Sequence, residues 1–148
     1  MSDFQLPKDF ESQMRALLGA QEFELFKSAI NQTPRTSIRL NSEKPFSPAW
    51  PKSPIPWSTQ GYFLEERPSF TLDPAFHAGA YYVQEASSMF IEHVLTSLEI
   101  PQGVYLDLAA APGGKSTLLS TYLGNEGLLV ANEVIQSRAQ ILKENAIK

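Results

Sequence analysis

The chain contains no cysteine and only two histidines. Without a thiol there is no disulfide framework, no thiolate zinc site and no cysteine nucleophile. His77 and His93 alone are too few for a histidine-built centre, so no metal is expected. No apolar run approaches the roughly 18–20 residues that a bilayer span requires, which excludes a transmembrane helix. The opening Met1-Ser2-Asp3-Phe4-Gln5-Leu6-Pro7 has neither a basic nor an apolar leader region, so no secretory signal is expected. Together with the missing disulfides this points to the cytoplasm. Basic charge is also scarce: 12 Lys and Arg face 16 Asp and Glu, a net charge of −4. That balance argues against a nucleic-acid footprint spread over the whole chain.

The 148 residues are 43% hydrophobic and 19% charged, the profile of a globular chain with one sizeable core or two small ones. Charge is unevenly placed. Residues 34–67 hold Arg35, Arg39, Lys44, Lys52 and Arg67 against Glu43, Glu65 and Glu66, and only this stretch is net positive. Such an excess is ordinarily a solvated face; its other reading is a phosphate-facing one.

Phe10, Met14, Leu17 and Leu18 share a helical face that Gly19 terminates, and Phe23, Phe26 and Ile30 mark a second helix that ends before Pro34. Arg35-Thr36-Ser37-Ile38-Arg39-Leu40-Asn41 alternates at its centre and predicts a short strand. On a strand Arg35 and Arg39 share a face, either as exposed arginines of an edge strand or as RNA-contacting groups. Five of the eleven prolines fall in Pro45–Pro56, which forbids a helix interior or a central strand. An extended connector results, with Trp50 and Trp57 docked on apolar surface. Residues 60–65 predict another strand.

From residue 79 the pattern changes. Gly79–Gln84 reads as extended, and Ile91, Val94, Leu95 and Leu98 mark an amphipathic helix. Val104–Ala110 and Leu128–Ala131 read as buried strands. Between them, Gly113–Leu123 predicts a helix closed by Gly124; Ile135, Ala139, Leu142 and Ala146 define a last one. Strand, Gly-rich turn, helix, strand, helix is the opening of a doubly wound α/β sheet.

The informative segment is Asp107-Leu108-Ala109-Ala110-Ala111-Pro112-Gly113-Gly114-Lys115-Ser116. It joins strand to helix, where outward-facing helix amides bind ligands in such sheets. Small residues admit a ligand close to the backbone. Glu133 ends the second strand, 19 residues beyond Gly114, where a carboxylate can accept from ribose hydroxyls. Two adenosine-bearing ligands compete for this turn. Gly114-Lys115-Ser116 ends a P-loop pattern, but that pattern needs glycine where Ala109 stands, and no acid for the accompanying magnesium is identifiable. S-adenosyl-L-methionine suits the small-residue turn and Glu133 better. Taken singly, each residue also fits an ordinary strand-to-helix turn.

These residues, with Ala131-Asn132-Glu133 and Ser137-Arg138, resemble the Sun/nucleolar-protein type of RNA cytosine-5 methyltransferase. Tyr82-Val83-Gln84-Glu85-Ala86-Ser87-Ser88-Met89 is similar to that family's signature ahead of the cofactor domain. Arg35-Thr36-Ser37-Ile38-Arg39-Leu40-Asn41 resembles its N-terminal element. Pro54-Ile55-Pro56-Trp57 and Gly61-Tyr62 resemble the bacterial branch that methylates 16S ribosomal RNA.

The resemblance implies an α/β chain: an N-terminal α+β accessory, RNA-contacting region over 1–78, then the first half of a Rossmann-like S-adenosylmethionine-dependent domain over 79–148. It implies that Ala109, Ala110, Ala111, Pro112, Gly113, Gly114 and Lys115 line the cofactor site, with Glu133 on the ribose. Arg35 and Arg39 are the RNA-contacting candidates, and 16S ribosomal RNA is the implied partner.

Enzymes of that family use two cysteines, because carbon 5 of cytosine becomes nucleophilic only after a thiolate adds to carbon 6. This chain has no cysteine. The expectation is therefore an inactive N-terminal portion of a longer enzyme that self-associates through an uncovered strand and binds cofactor weakly. A salt-sensitive RNA-binding or assembly module without a cofactor is the non-enzymatic alternative.

Overall fold

The computed structural model describes residues 5–148; Met1–Phe4 of the leader reading lie outside them. Two compact units divide between Pro34 and Arg35.

The first unit is a helix, α1, Lys8–Ile30, broken at Gly19 (φ 79°, ψ 170°). That left-handed backbone suits glycine, which has no Cβ to clash, and it turns one apolar periodicity into two helical halves. The halves meet through Phe10 and Phe26, whose ring centroids are 6.3 Å apart, and through Lys27 and Glu11 at 3.2 Å. The Arg15 guanidinium lies 4.3 Å from the centre of the Phe23 ring and donates to Glu24 at 2.8 Å.

The second unit begins with strands β1 (Ser37–Leu40), β2 (Lys52–Pro54), β3 (Gly61–Leu64) and, after helix α2 (Pro74–His77), β4 (Tyr81–Val83). They form an antiparallel sheet in the order β2-β3-β1-β4. The proline-rich stretch supplies β2, which sits at the sheet edge where a missing N–H costs least. β1 lies in the interior of the sheet and is buried on both faces, so the expectation of an arginine-bearing edge strand is corrected. One face, with Ile38, Leu64 and Tyr81, packs on Phe70, Phe76, Phe46 and Trp50. Trp50 docks edge-on against Phe70 and Tyr81. Trp57 donates its indole N–H to the Ala86 carbonyl at 2.8 Å and packs beside Ile55, Met89 and Leu118. Both tryptophans are thus docked on apolar surface.

Helix α3 (Phe90–Ser97) leads to β5 (Val104–Asp107), α4 (Gly114–Leu123), β6 (Leu128–Ala131) and α5 (Gln136–Ile147). β5 and β6 pair in parallel, Val104 opposite Leu128 and Leu106 opposite Val130, as a βαβ unit requires. Leu118, Leu119 and Leu123 bury one side of α4, and Gly124 closes it at φ 54°. The expectation of buried strands is corrected: no residue of β5 or β6 is buried, and on one face Tyr105, Asp107 and Leu129 are half-buried and Ala131 is exposed. Val104, Leu106, Leu128 and Val130 point to the other and are 77%, 59%, 57% and 45% exposed. No other element of this unit covers that face, and α4 packs against β6.

Residues 78 and 79, the expected domain boundary, lie inside the second unit, where the first sheet and α4 share one packed interior. Among the described residues no helix is long and apolar enough to cross a membrane, and no group of three or more His, Cys, Asp or Glu side chains is placed to hold a metal.

Candidate functional site

The segment between β5 and α4 is held from outside by its carbonyls. Asn132 donates to the Leu108 carbonyl at 3.0 Å, Arg138 to Ala111 at 2.8 Å and Asn145 to Pro112 at 2.8 Å. The Ala110 amide donates to the Asn132 carbonyl at 3.0 Å. Asp107 fixes the loop from beneath, accepting from the Ser116 hydroxyl at 2.7 Å and from the Ala109 amide at 3.3 Å. The Ala111–Pro112 peptide is cis.

Gly113 is the residue before the first helical turn, with φ 114°, and no side chain caps that turn. A Cβ there would meet Leu142 at 3.3 Å and Asn145 at 3.4 Å, so both dihedral and packing call for glycine. A helix start without a capping side chain leaves first-turn N–H groups as donors, with the positive end of the helix dipole behind them. The donor set fits an anionic or hydroxyl-rich ligand.

The sequence-derived residues are brought together around this start. Ala110 and Ala111 are buried, Ala109 and Pro112 exposed, Gly113 and Gly114 open the helix, and Lys115 stands exposed on its first turn. Glu133 follows β6 on the same side of the parallel pair. Its side chain is only 4% exposed, accepting from the Ile135 amide at 3.0 Å and facing Arg138 at 3.4 Å. Arg138 thereby links the acid to the loop, since its other terminal nitrogen holds the Ala111 carbonyl.

The two arginines part company. Arg35 precedes β1, is exposed, donates to Ser53 at 3.0 Å and lies 4.1 Å from the centre of the Phe63 ring. Arg39 is 6% exposed. Its Nε donates to Gln84 Oε1 at 2.9 Å and its Nη2 to Thr117 Oγ1 at 2.7 Å. Burial pushes the guanidinium down to about 10, opposed by the Glu92 carboxylate and by Tyr82, so it stays charged near neutrality. An arginine on an exposed face is therefore the wrong picture for Arg39; its side chain is turned inward against α4.

Asp107, Ser116, Arg138 and Asn145 were not picked out as site residues by sequence reasoning, nor were Gln84 and Thr117. Asp107 ends a strand and Ser116 lies nine residues on, a spacing with no local signature. Arg138 lies five residues beyond Glu133, in the first turn of α5, and that proximity is the one readable signal.

Residues 6–86 match the family described as the N-terminal domain of 16S rRNA methyltransferase RsmF, and residues 96–148 match 16S rRNA methyltransferase RsmB/F. The ribosomal RNA small subunit methyltransferase F of Shewanella frigidimarina is 35% identical over 149 aligned residues, covering 93% of this chain and 30% of the relative. The solved structure of PH0851 superposes with a TM-score of 0.77 at 27% identity, covering 95% of this chain and 33% of that one. A methyltransferase homologue from Pyrococcus horikoshii superposes with a TM-score of 0.70 at 25% identity, covering 95% and 52%. The chain spans about a third of the length of the curated relatives it matches. With an antiparallel sheet set before a parallel strand–loop–helix–strand unit, and with both family matches falling on those parts in order, this chain belongs to the 16S rRNA methyltransferase RsmF family.

Proposed function

We propose that the chain carries the S-adenosyl-L-methionine loop of an RNA (cytosine-5) methyltransferase acting on 16S ribosomal RNA in the cytoplasm. The observation that carries this is the uncapped start of α4, approached through small residues, with the Glu133 carboxylate at the tip of the neighbouring parallel strand. Ala109–Lys115 would hold the cofactor through backbone N–H groups, and Glu133 would accept from its ribose hydroxyls. When bound, the group supplies an activated methyl. Asp107, Ser116 and Arg138 keep the loop open by engaging its other polar groups internally.

Because the chain holds no cysteine, it offers no thiolate to activate a cytosine ring. Its own residues bind and orient; on this reading the isolated chain transfers no methyl group. RNA would approach along the basic stretch, where the exposed Arg35 cation lies over the Phe63 ring.

The P-loop reading is disfavoured by Ser116. Its hydroxyl is buried and donates to Asp107 at 2.7 Å, an engagement within the protein that a magnesium-binding hydroxyl would have to give up. Calorimetric titration with S-adenosylmethionine and, separately, with magnesium ATP tests the choice. Binding of the first that the second does not displace is expected. Magnesium-dependent ATP binding lost in Lys115→Ala would overturn the reading.

A further inference from the structure

Beyond the loop itself, the buried side chains of Arg39, Gln84 and Ser37 and the half-buried Thr117 tie it to the first sheet. Arginine only donates hydrogen bonds, so Thr117 Oγ1, at 2.7 Å from Arg39 Nη2, must accept there. The Thr117 hydroxyl proton is then directed to the Gly113 carbonyl at 2.8 Å, nearer than its other acceptor, the Gly114 carbonyl at 3.3 Å. Gly113 is the glycine that opens α4. Behind Arg39, Gln84 Oε1 receives Nε at 2.9 Å, and Ser37 donates to the Gln84 carbonyl at 2.6 Å. The Arg39 contact fixes the orientation of the Gln84 side-chain amide, because a flipped amide would set its NH2 against the Arg39 Nε–H, while Ser37 holds the Gln84 main chain. The cost is visible: among the described residues, Gln84 Nε2 is buried without a partner.

We propose that Arg39 is a positioning residue for the cofactor loop, acting from β1 through Thr117 onto the Gly113 carbonyl, with Gln84 holding the guanidinium in register. The proposal rests on the S-adenosylmethionine reading for its consequence in binding, and on geometry alone for its effect on the loop. A burial role without directionality would be served equally by any well-packed neutral side chain. The ordered chain from Arg39 to Thr117 to Gly113 instead requires a fork of donors, then a hydroxyl.

The test compares Thr117→Val, Thr117→Ser and Arg39→Lys with the parent chain. Valine keeps the shape and loses the hydroxyl, serine keeps the hydroxyl, and lysine keeps the charge without the fork. Amide exchange is read at residue 117, whose N–H donates to Gly113 at 2.8 Å, and at Ala110 in the loop. Exchange there should accelerate about three- to thirtyfold in Thr117→Val and Arg39→Lys, with Thr117→Ser within about twofold of the parent. Exchange at Ile38 and Leu64 serves as the control for global loss of structure. The dissociation constant for S-adenosylmethionine should rise in the same two variants and recover in serine. Uniform acceleration at all sites, or a serine variant as impaired as valine, would overturn the proposal. If the parent chain binds no S-adenosylmethionine, the cofactor reading fails while the exchange comparison still decides the positioning role.

Discussion

Glu133→Gln separates a ligand-binding carboxylate from a structural one. In the structure one oxygen accepts from the Ile135 amide at 3.0 Å and the other faces Arg138 at 3.4 Å. Glutamine retains an oxygen for the amide. The ion pair it gives up joins a half-exposed arginine to a nearly buried carboxylate, so its loss costs more than the roughly 0–1 kcal/mol of a surface pair and less than the roughly 3–5 kcal/mol of a fully buried one. The fold should therefore lose about 1–3 kcal/mol, a shift of several degrees in the unfolding midpoint. The ligand loses a contact of its own. A hydroxyl donating to a carboxylate contributes about 1.5–3 kcal/mol, so replacing that acceptor should weaken S-adenosylmethionine about 10- to 150-fold. Calorimetry with S-adenosylmethionine and S-adenosylhomocysteine, beside thermal unfolding of both proteins without ligand, reads the two quantities separately. Affinities within twofold of the parent would refute the ribose assignment. So would a loss of affinity that merely tracks a large loss of folded protein.

Gly113→Ala places a Cβ at φ 114° and 3.3 Å from Leu142, and should destabilise the fold by about 1–2 kcal/mol in urea titration; an unchanged midpoint would show that the turn relaxes freely. The four exposed aliphatic side chains of the β5–β6 face should drive concentration-dependent self-association, measured by sedimentation velocity. Replacing Leu106 and Val130 together with threonine should reduce it, and a parent chain that stays monomeric at high concentration would contradict the reading. Burial first, then its hydrogen bond to Asp73 at 2.7 Å, raises Tyr81 above the usual phenol range, and burial also raises Tyr82. Because the folded value exceeds the unfolded one, that stability is complete below about pH 10 and is lost as pH rises beyond it. Alkaline absorbance titration should show late-ionising tyrosines among the five, and Tyr81→Phe should remove one of them.

Local chemistry in the sequence was enough to place most elements. Gly19 broke the first helix, the prolines confined β2 to an edge, and small residues between an apolar strand and an apolar helix marked the loop. Glu133 was readable because its distance from the glycines is set by one helix and one strand. Each of these depends on neighbours within a few turns of chain. Arg39 does not. Its partners lie at Gln84 and Thr117, 45 and 78 residues away, and only the packing of the first sheet against α4 turns a strand arginine inward. The same holds for the unpartnered Gln84 amide and for the bare face of β5 and β6. Whether a side chain meets water or protein is decided by which distant surface closes over it, and alternation along a strand shows two faces without saying which of them is covered.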